Sequence, residues 1–419
     1  MRFTCLFSSH RFRPLTTAAI VLTLLGTAWA DPKFKVLHDF PSFSGDGGGL
    51  YDPLTLDSAG NLYGVTAGGG TGWNGVGGGI AFELSPSRGK WTETVLYNFC
   101  TQGGNKCTDG YHPFGPLILG PAGNLYGAAA EGGSNGDGVF FELTPGSESW
   151  SYNVLYDNAF SYFVRGLTGD FYGLSGAGSY YNGAIAELSP GSDDWVRTEL
   201  YSFTPQESSP ENPLIFDRVG NLYGVTYYGG DVFKLSPPPS TSTADEWNFH
   251  LLHHFPAFSG DGWDCYAGLV FDKAGNLYGA TQAGGTPNKT WCSGGCGIIY
   301  KLTPNGHGKW KETILHRFSK FEDGLDPMGT LTLDEQGNIY GTTVGGGGGA
   351  KVCLGGCGAV FKMTPTKSGK WTYTVLHRFS GNDGVGPQAG VILDGKGNIY
   401  GTTYQGGSHY YGVVFEITP

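Results

Sequence analysis

The sequence predicts an all-β fold, a seven-bladed β-propeller of four-stranded blades with its ring closed by an N-terminal strand that completes the last blade. Three observations predict it. A short string recurs seven times, each recurrence brings four strand-like runs, and the fourth run missing from the last unit is found at the other end of the chain.

The recurring string is Gly60-Asn61-Leu62-Tyr63-Gly64, repeated at Gly123 to Gly127, Gly220 to Gly224, Gly275 to Gly279, Gly337 to Gly341 and Gly397 to Gly401. A degraded copy is Gly169-Asp170-Phe171-Tyr172-Gly173. Successive final glycines lie 63, 46, 51, 55, 62 and 60 residues apart, a spacing that reads as one supersecondary unit per repeat. In the second unit the strand-like runs are Pro116 to Leu119, Asn124 to Ala130, Gly138 to Thr144 and Trp150 to Tyr156. Each is short, rich in β-branched or aromatic residues, and bounded by turn formers. No helical period appears after residue 30, and four strands per unit repeated around a ring is the propeller layout.

The fourth run starts at Trp91, Trp150, Trp195, Trp247, Trp310 and Trp371, and the seventh unit has none. Lys35-Val36-Leu37-His38-Asp39-Phe40 matches Thr374-Val375-Leu376-His377-Arg378-Phe379 position for position. Pairing that segment with the last unit removes the exposed sheet edge an open array would leave.

Residues 1–30 read as a signal peptide: a basic leader with Arg2, Arg11 and Arg13, an apolar run from Leu15 to Trp29, and a small-x-small site at Ala28-Trp29-Ala30. Residues 31–419 are then the propeller domain. Removing the leader leaves 22 basic against 36 acidic residues, a net charge of −14. That acidity argues against nucleic acid as a partner, and no basic patch supports membrane adhesion; no membrane insertion is expected after signal cleavage. The expected localisation is secreted or cell-envelope associated, and the expected state is a monomer. Seven cysteines follow the leader, and export makes them disulfide candidates.

The unit Asp-x-x-Gly-Asn-Leu-Tyr-Gly, Gly-Gly, Gly-x-Val-Phe-Lys-Leu-Thr-Pro and Trp-x-x-x-x-Leu-x-x-Phe, best kept in Asp334 to Phe379 and Asp272 to Phe318, resembles the GloVer tandem repeat. The family is that of choice-of-anchor tandem repeat GloVer-containing proteins, and the likeness extends over essentially all of 31–419. The resemblance implies a secreted or surface protein, often ending in an anchor domain that is not recognisable here. It implies no activity.

Most repeated polar residues read as framework. Asp57, Asp217, Asp272, Asp334 and Asp394 each open a turn with one carboxylate and one Asn, too few oxygens for a calcium loop. His38, His253, His316 and His377 take the place of Tyr97, Tyr156 and Tyr201, which marks a packing position with a polar tip rather than a metal ligand. His253 and the adjacent His254 point to opposite faces of their strand. The third run carries Glu83, Glu142, Glu187 and Glu416 in four units and Lys234, Lys301 and Lys362 in three, which suits contact with solvent or a neighbouring blade. No catalytic motif, metal site or cofactor is expected.

Up-and-down strands put the Asp-x-x-Gly-Asn turns on one face and the long loops on the other, where function on a rigid scaffold concentrates. All seven cysteines fall on the long-loop face. Cys292 with Cys296 and Cys353 with Cys357 hold equivalent places in adjacent units and are expected to pair locally, as are Cys100 and Cys107, leaving Cys265 free. A zinc site made by the two short motifs is the competing reading. The same face carries the non-repeated aromatics Trp73, Tyr180, Tyr181, Tyr227, Tyr228, Trp263, Trp291, Tyr410 and Tyr411, which suit stacking on a glycan or contact with a protein, or simply cover glycine loops.

The leading functional expectation is a binding module for a glycan or protein. An enzyme acting on polysaccharide or lactone at the channel mouth is the alternative, with Asp231, Asp264 and Asp326 as carboxylates and His112 as a base. A structural cell-envelope component is the third reading.

Overall fold

The computed structural model describes residues 31–419 apart from 43–44, 73–76, 159, 176–182, 193, 205–209, 211, 227–229, 240–246, 258–259, 289, 307 and 350. The leader 1–30 lies outside the described residues, as do Trp73, Tyr180, Tyr181, Tyr227 and Tyr228.

Seven antiparallel sheets of four strands form the blades, and the first six are each built of four consecutive strands. Blade 1 comprises Thr55–Leu56, Leu62–Thr66, Ile80–Ser87 and Lys90–Asn98. Blade 7 is made of Ile392–Leu393, Ile399–Thr403 and Val413–Thr418, with Lys33–Asp39 as its fourth strand. That strand runs antiparallel to Val413–Thr418, with Lys33 opposite Thr418 and Asp39 opposite Val413. The expected closure is therefore the observed one. Among the described residues there is no α-helix, only the 3₁₀ turns Gly104–Lys106 and Phe321–Asp323.

The repeated string makes each blade for identifiable reasons. Asp57 Oδ1 accepts hydrogen bonds from the backbone N–H of Ala59 (2.9 Å) and Asn61 (2.8 Å), while Oδ2 accepts from Asn61 Nδ2 and the Tyr63 hydroxyl. The same four bonds recur at Asp217, Asp272, Asp334 and Asp394, so these carboxylates are consumed by their own turns. Gly64 closes the string because the Phe82 ring lies over it: a Cβ there would sit 2.6 Å from Cζ.

The core lies between blades. A Phe just after the fourth strand reaches forward onto the third-strand ring of the next blade. These pairs are Phe99 on Phe141 (5.1 Å), Phe255 on Tyr300 (4.7 Å), Phe318 on Phe361 (5.7 Å) and Phe379 on Phe415 (5.3 Å). The fourth-strand Trp reaches back to the string Tyr of the preceding blade, as Trp150 does to Tyr63 (6.2 Å). The closing seam has both contacts, Phe40 on Phe82 (5.5 Å) and Trp91 on Tyr400 (6.0 Å). Non-covalent closure thus reproduces the side-chain packing of the covalent seams.

The third-strand charge is half-exposed, but its partner is in its own blade rather than the neighbouring one. Glu187 accepts from the Tyr172 hydroxyl (2.6 Å), Glu416 from Tyr400 (3.1 Å), and the ammonium groups of Lys301 and Lys362 lie 5.4 and 5.2 Å from the rings of Tyr278 and Tyr340. Either sign suits a tyrosine, which offers a hydroxyl donor and an electron-rich face.

The long-loop face and the channel mouth

Three local disulfides tie the loops of one face: Cys100–Cys107, Cys292–Cys296 and Cys353–Cys357, with Cα–Cα distances of 4.3, 5.2 and 5.3 Å. Cys265 is free and fully buried, and burial pushes its thiol well above the ordinary range. With the four thiols of the two short motifs paired in this way, none is left as a thiolate ligand for zinc.

The described aromatics divide by role. Trp263 is half-buried and donates its indole N–H to the Gly294 carbonyl (3.3 Å), lying against the glycine loop that Cys292 and Cys296 close. Tyr411 packs against the cluster around Leu54 and Phe82. Trp291 and Tyr410 are exposed, at 46% and 73%. The Trp291 ring rests 4.6 Å from Phe321, which leaves part of its surface open to a flat partner.

At the inner rim of this face one position recurs in the left-handed region: Gly49 (φ 75°), His112 (52°), Asp264 (56°), Asp326 (59°) and Gly386 (62°). In these five blades the position lies five residues before a buried Leu or Val at or just before the first strand: Leu54, Leu117, Leu269, Leu331 and Val391. The carbonyl there accepts from the residue after the second strand, as Asp264 does from Gln282 (2.8 Å) and Asp326 from Val344 (3.1 Å). Glycine takes this conformation without cost, and Asp and His are among the residues that tolerate it best. The sequence-derived catalytic candidates His112, Asp264 and Asp326 thus occupy one ring of equivalent sites, on blades 2, 5 and 6. Among the described residues no hydrogen bond or ion pair joins them. Asp231 lies elsewhere, at the start of its third strand, 2.7 Å from His254 Nδ1.

Burial raises the Asp264 carboxyl and lifts that of Asp326 to about 6. Asp52, three residues before the first strand of blade 1, is raised to about 7 by burial, against a lowering hydrogen bond from the Gly115 backbone. On blade 2, His112 Nδ1 lies 2.9 Å from Glu131 Oε1, and Tyr111 donates its hydroxyl to Glu131 Oε2. The Tyr111 hydrogen bond holds Glu131 below the ordinary carboxyl value, so the residue is a carboxylate that can orient the imidazole. Glu131 is a site residue the sequence reading missed. Its only signal was a carboxylate ending the second strand where other units have Gly68, Ala283 or Gly345.

A cavity of about 1180 Å³ opens on the opposite, short-turn face across blades 3, 4 and 5. Leu167 and Val219 form an apolar lip, and Arg165, Arg218 and Lys273 supply cations. Its carboxylates Asp217 and Asp272 belong to the turn framework.

A second kind of polar cluster lies in the seam between blades 7 and 1. His38 Nε2 is 3.4 Å from Asp46 Oδ2 and 3.5 Å from Glu93 Oε2. Burial lowers the His38 imidazole and raises Glu93, whose carboxyl also faces Asp46.

The Gloeobacter/Verrucomicrobia repeat, the GloVer repeat that the motifs resemble, matches residues 290–419. No curated protein sequence matches the chain. Among solved structures it is similar to a PL25 ulvan lyase, a polysaccharide lyase, with bound -[GlcA(1-4)Rha3S]-, at 11% identity and a TM-score of 0.55, covering 90% of this chain and 94% of that one. A second structure of a PL25 ulvan lyase gives 0.54 at the same identity and coverage. A luciferin-regenerating enzyme aligns over 93% of this chain and 95% of its own at 13% identity, with a TM-score of 0.44. At such identities the two lyase structures speak for the fold alone, and the third carries no argument.

Proposed function

With residues 290–419 carrying the Gloeobacter/Verrucomicrobia repeat, we propose that the protein is a secreted binding module that holds an extracellular glycan on its long-loop face. The observation that carries the reading is the exposure of Trp291 and Tyr410 on the face whose loops are tied by three disulfides. Flat rings on a pre-organised surface stack on sugars with little ordering cost. The short-turn cavity is the weaker candidate because half of its wall is repeat framework serving every blade. In a glycan array followed by titration, Trp291→Ala and Tyr410→Ala should each weaken binding by about 1–3 kcal/mol without loss of stability. Trp263→Ala should lower stability instead, since that ring covers its own loop. Binding unaffected by both exposed-ring changes would overturn the assignment.

One observation favours a second reading, an acid–base enzyme on a polysaccharide at the channel mouth. His112 is held in a left-handed conformation with its Nδ1 on a carboxylate, an arrangement that presents Nε2 as a base. The polysaccharide lyase with the same fold makes such substrates a sensible screen. Turnover abolished by His112→Ala and untouched by Trp291→Ala would establish this reading in place of the first.

A further inference from the structure

In six of the seven seams the fourth-strand His or Tyr of one blade faces the residue two after Trp on the fourth strand of the next, or its equivalent in the closing strand. Four seams make this an aromatic stack: His377 on Phe34 (3.7 Å), Tyr97 on Tyr152 (4.0 Å), His316 on Tyr373 (4.1 Å) and Tyr201 on Phe249 (5.1 Å). Two seams replace the receiving ring with glutamate opposite a histidine. They are His38 with Glu93 (3.5 Å) and His253 with Glu312 (3.7 Å). An apolar stack has thus been exchanged twice for the same pair of metal-ligating side chains.

Among the described residues, only the closing seam brings a third ligand atom into place. His38 Nε2, Asp46 and Glu93 bring ligand atoms within 4.8 Å of one another. The side chains are 19%, 19% and 11% exposed. His38 Nε2, Asp46 Oδ2 and Glu93 Oε1 are buried without a formed hydrogen bond, which in a native interior calls for a missing partner. No Lys or Arg is ion-paired with either carboxylate among the described residues. A neutral imidazole with two carboxylates carries a charge of −2, and a mixed nitrogen and oxygen set of three suits Zn²⁺, which completes its shell with water. Ca²⁺ and Mg²⁺ favour all-oxygen shells of higher coordination number.

We propose that His38, Asp46 and Glu93 form a Zn²⁺-class divalent cation site that pins the closing strand of blade 7 to blade 1. The three ligands come from the closing strand, the linker that follows it and the outer strand of blade 1. A bound ion therefore fastens the closing strand to blade 1, next to its non-covalent pairing with Val413–Thr418. In the seam between blades 4 and 5, Asp261 aligns with Asp46 in sequence and its charge acts on both His253 and Glu312, but it is exposed and its carboxylate does not close a three-ligand cluster with them.

The test is Zn²⁺ titration and thermal melting of the untagged, metal-stripped full chain, with disulfides kept oxidised. The expected result is about one Zn²⁺ per chain and a raised melting temperature, with at least ~10-fold weaker binding in Glu93→Gln and His38→Gln. Glu312→Gln should leave the stoichiometry unchanged. Glu93→Phe rebuilds the ring pair seen at Phe34 and His377, so it should stay folded, melt no lower than the metal-free parent, and show no Zn²⁺ response. The site is refuted if the parent takes up no Zn²⁺, if Glu93→Gln and Glu93→Phe both bind like the parent, or if Ca²⁺ and Mg²⁺ bind as tightly as Zn²⁺.

Discussion

Replacing Phe40 with Ala tests whether the ring is held by the closing seam as the packing implies. Phe40 is fully buried, its ring 5.5 Å from Phe82 and 4.5 Å from His38, within a cluster containing Leu50, Leu54, Leu62 and Val414. Phe-to-Ala changes at such sites cost about 3–5 kcal/mol. Phe318 is an internal control, equally buried and 5.7 Å from Phe361, but it follows a strand covalently continuous with the rest of its blade. Both variants should lose similar global stability in urea. The difference should appear locally. Lys33–Asp39 is joined to its blade only by pairing with Val413–Thr418, so the lost energy falls on detachment of that strand. At about 1.4 kcal/mol per tenfold, a loss of about 4 kcal/mol raises the detached population by roughly 10³. Limited proteolysis under native conditions, with EDTA present, should then cut Phe40→Ala within 33–40 far faster than the parent, and leave Phe318→Ala resistant there. Equal resistance of both variants would refute the idea that the joint opens on its own.

Other outcomes follow from the same geometry. Deleting residues 31–40 should produce aggregation or a loss of thermal stability out of proportion to its length, because blade 7 is left with three strands and a bare edge; a monomer melting like the parent would contradict this. Non-reducing mass mapping should recover links 100–107, 292–296 and 353–357, with Cys265 alkylated only after unfolding. Asp326→Asn should change little near pH 4 and stabilise at pH 7. Its carboxyl sits at about 6 against an ordinary 3.8, so the folded state binds the proton more tightly and loses stability as pH rises through that window. A gain equal at both pH values in urea titrations would show that the carboxylate charge is not the cause.

The blade count, the closure and the two equivalent disulfide pairs were legible because each is a repeat property, visible in how Gly60 to Gly64 and Cys292 to Cys296 recur down the chain. The seam cluster was not. His38 shares a column with Tyr97, and that column correctly describes His316 and His377 as packing rings. What differs is the residue facing His38, which belongs to the next blade some fifty positions away. The pairing of those columns exists only once blades are packed, although Glu93 and Glu312 standing where Tyr152 and Tyr373 do was a signal in the text. The division between Trp263 and Trp291 was hidden for another reason. Both follow glycine-rich segments, and loop conformation alone decides which ring folds back onto its own backbone.

The register that sets Lys33 opposite Thr418 places the two ends of the propeller about 5 Å apart, side by side in one sheet. A short linker could join them, and new ends could be opened at an exposed turn such as Thr366 to Lys370, where only a tight hairpin is cut. Such circular permutants would move the non-covalent joint from the interior of blade 7 to the interior of another blade. They would make the order of blades along the chain a free choice while leaving the order around the ring untouched.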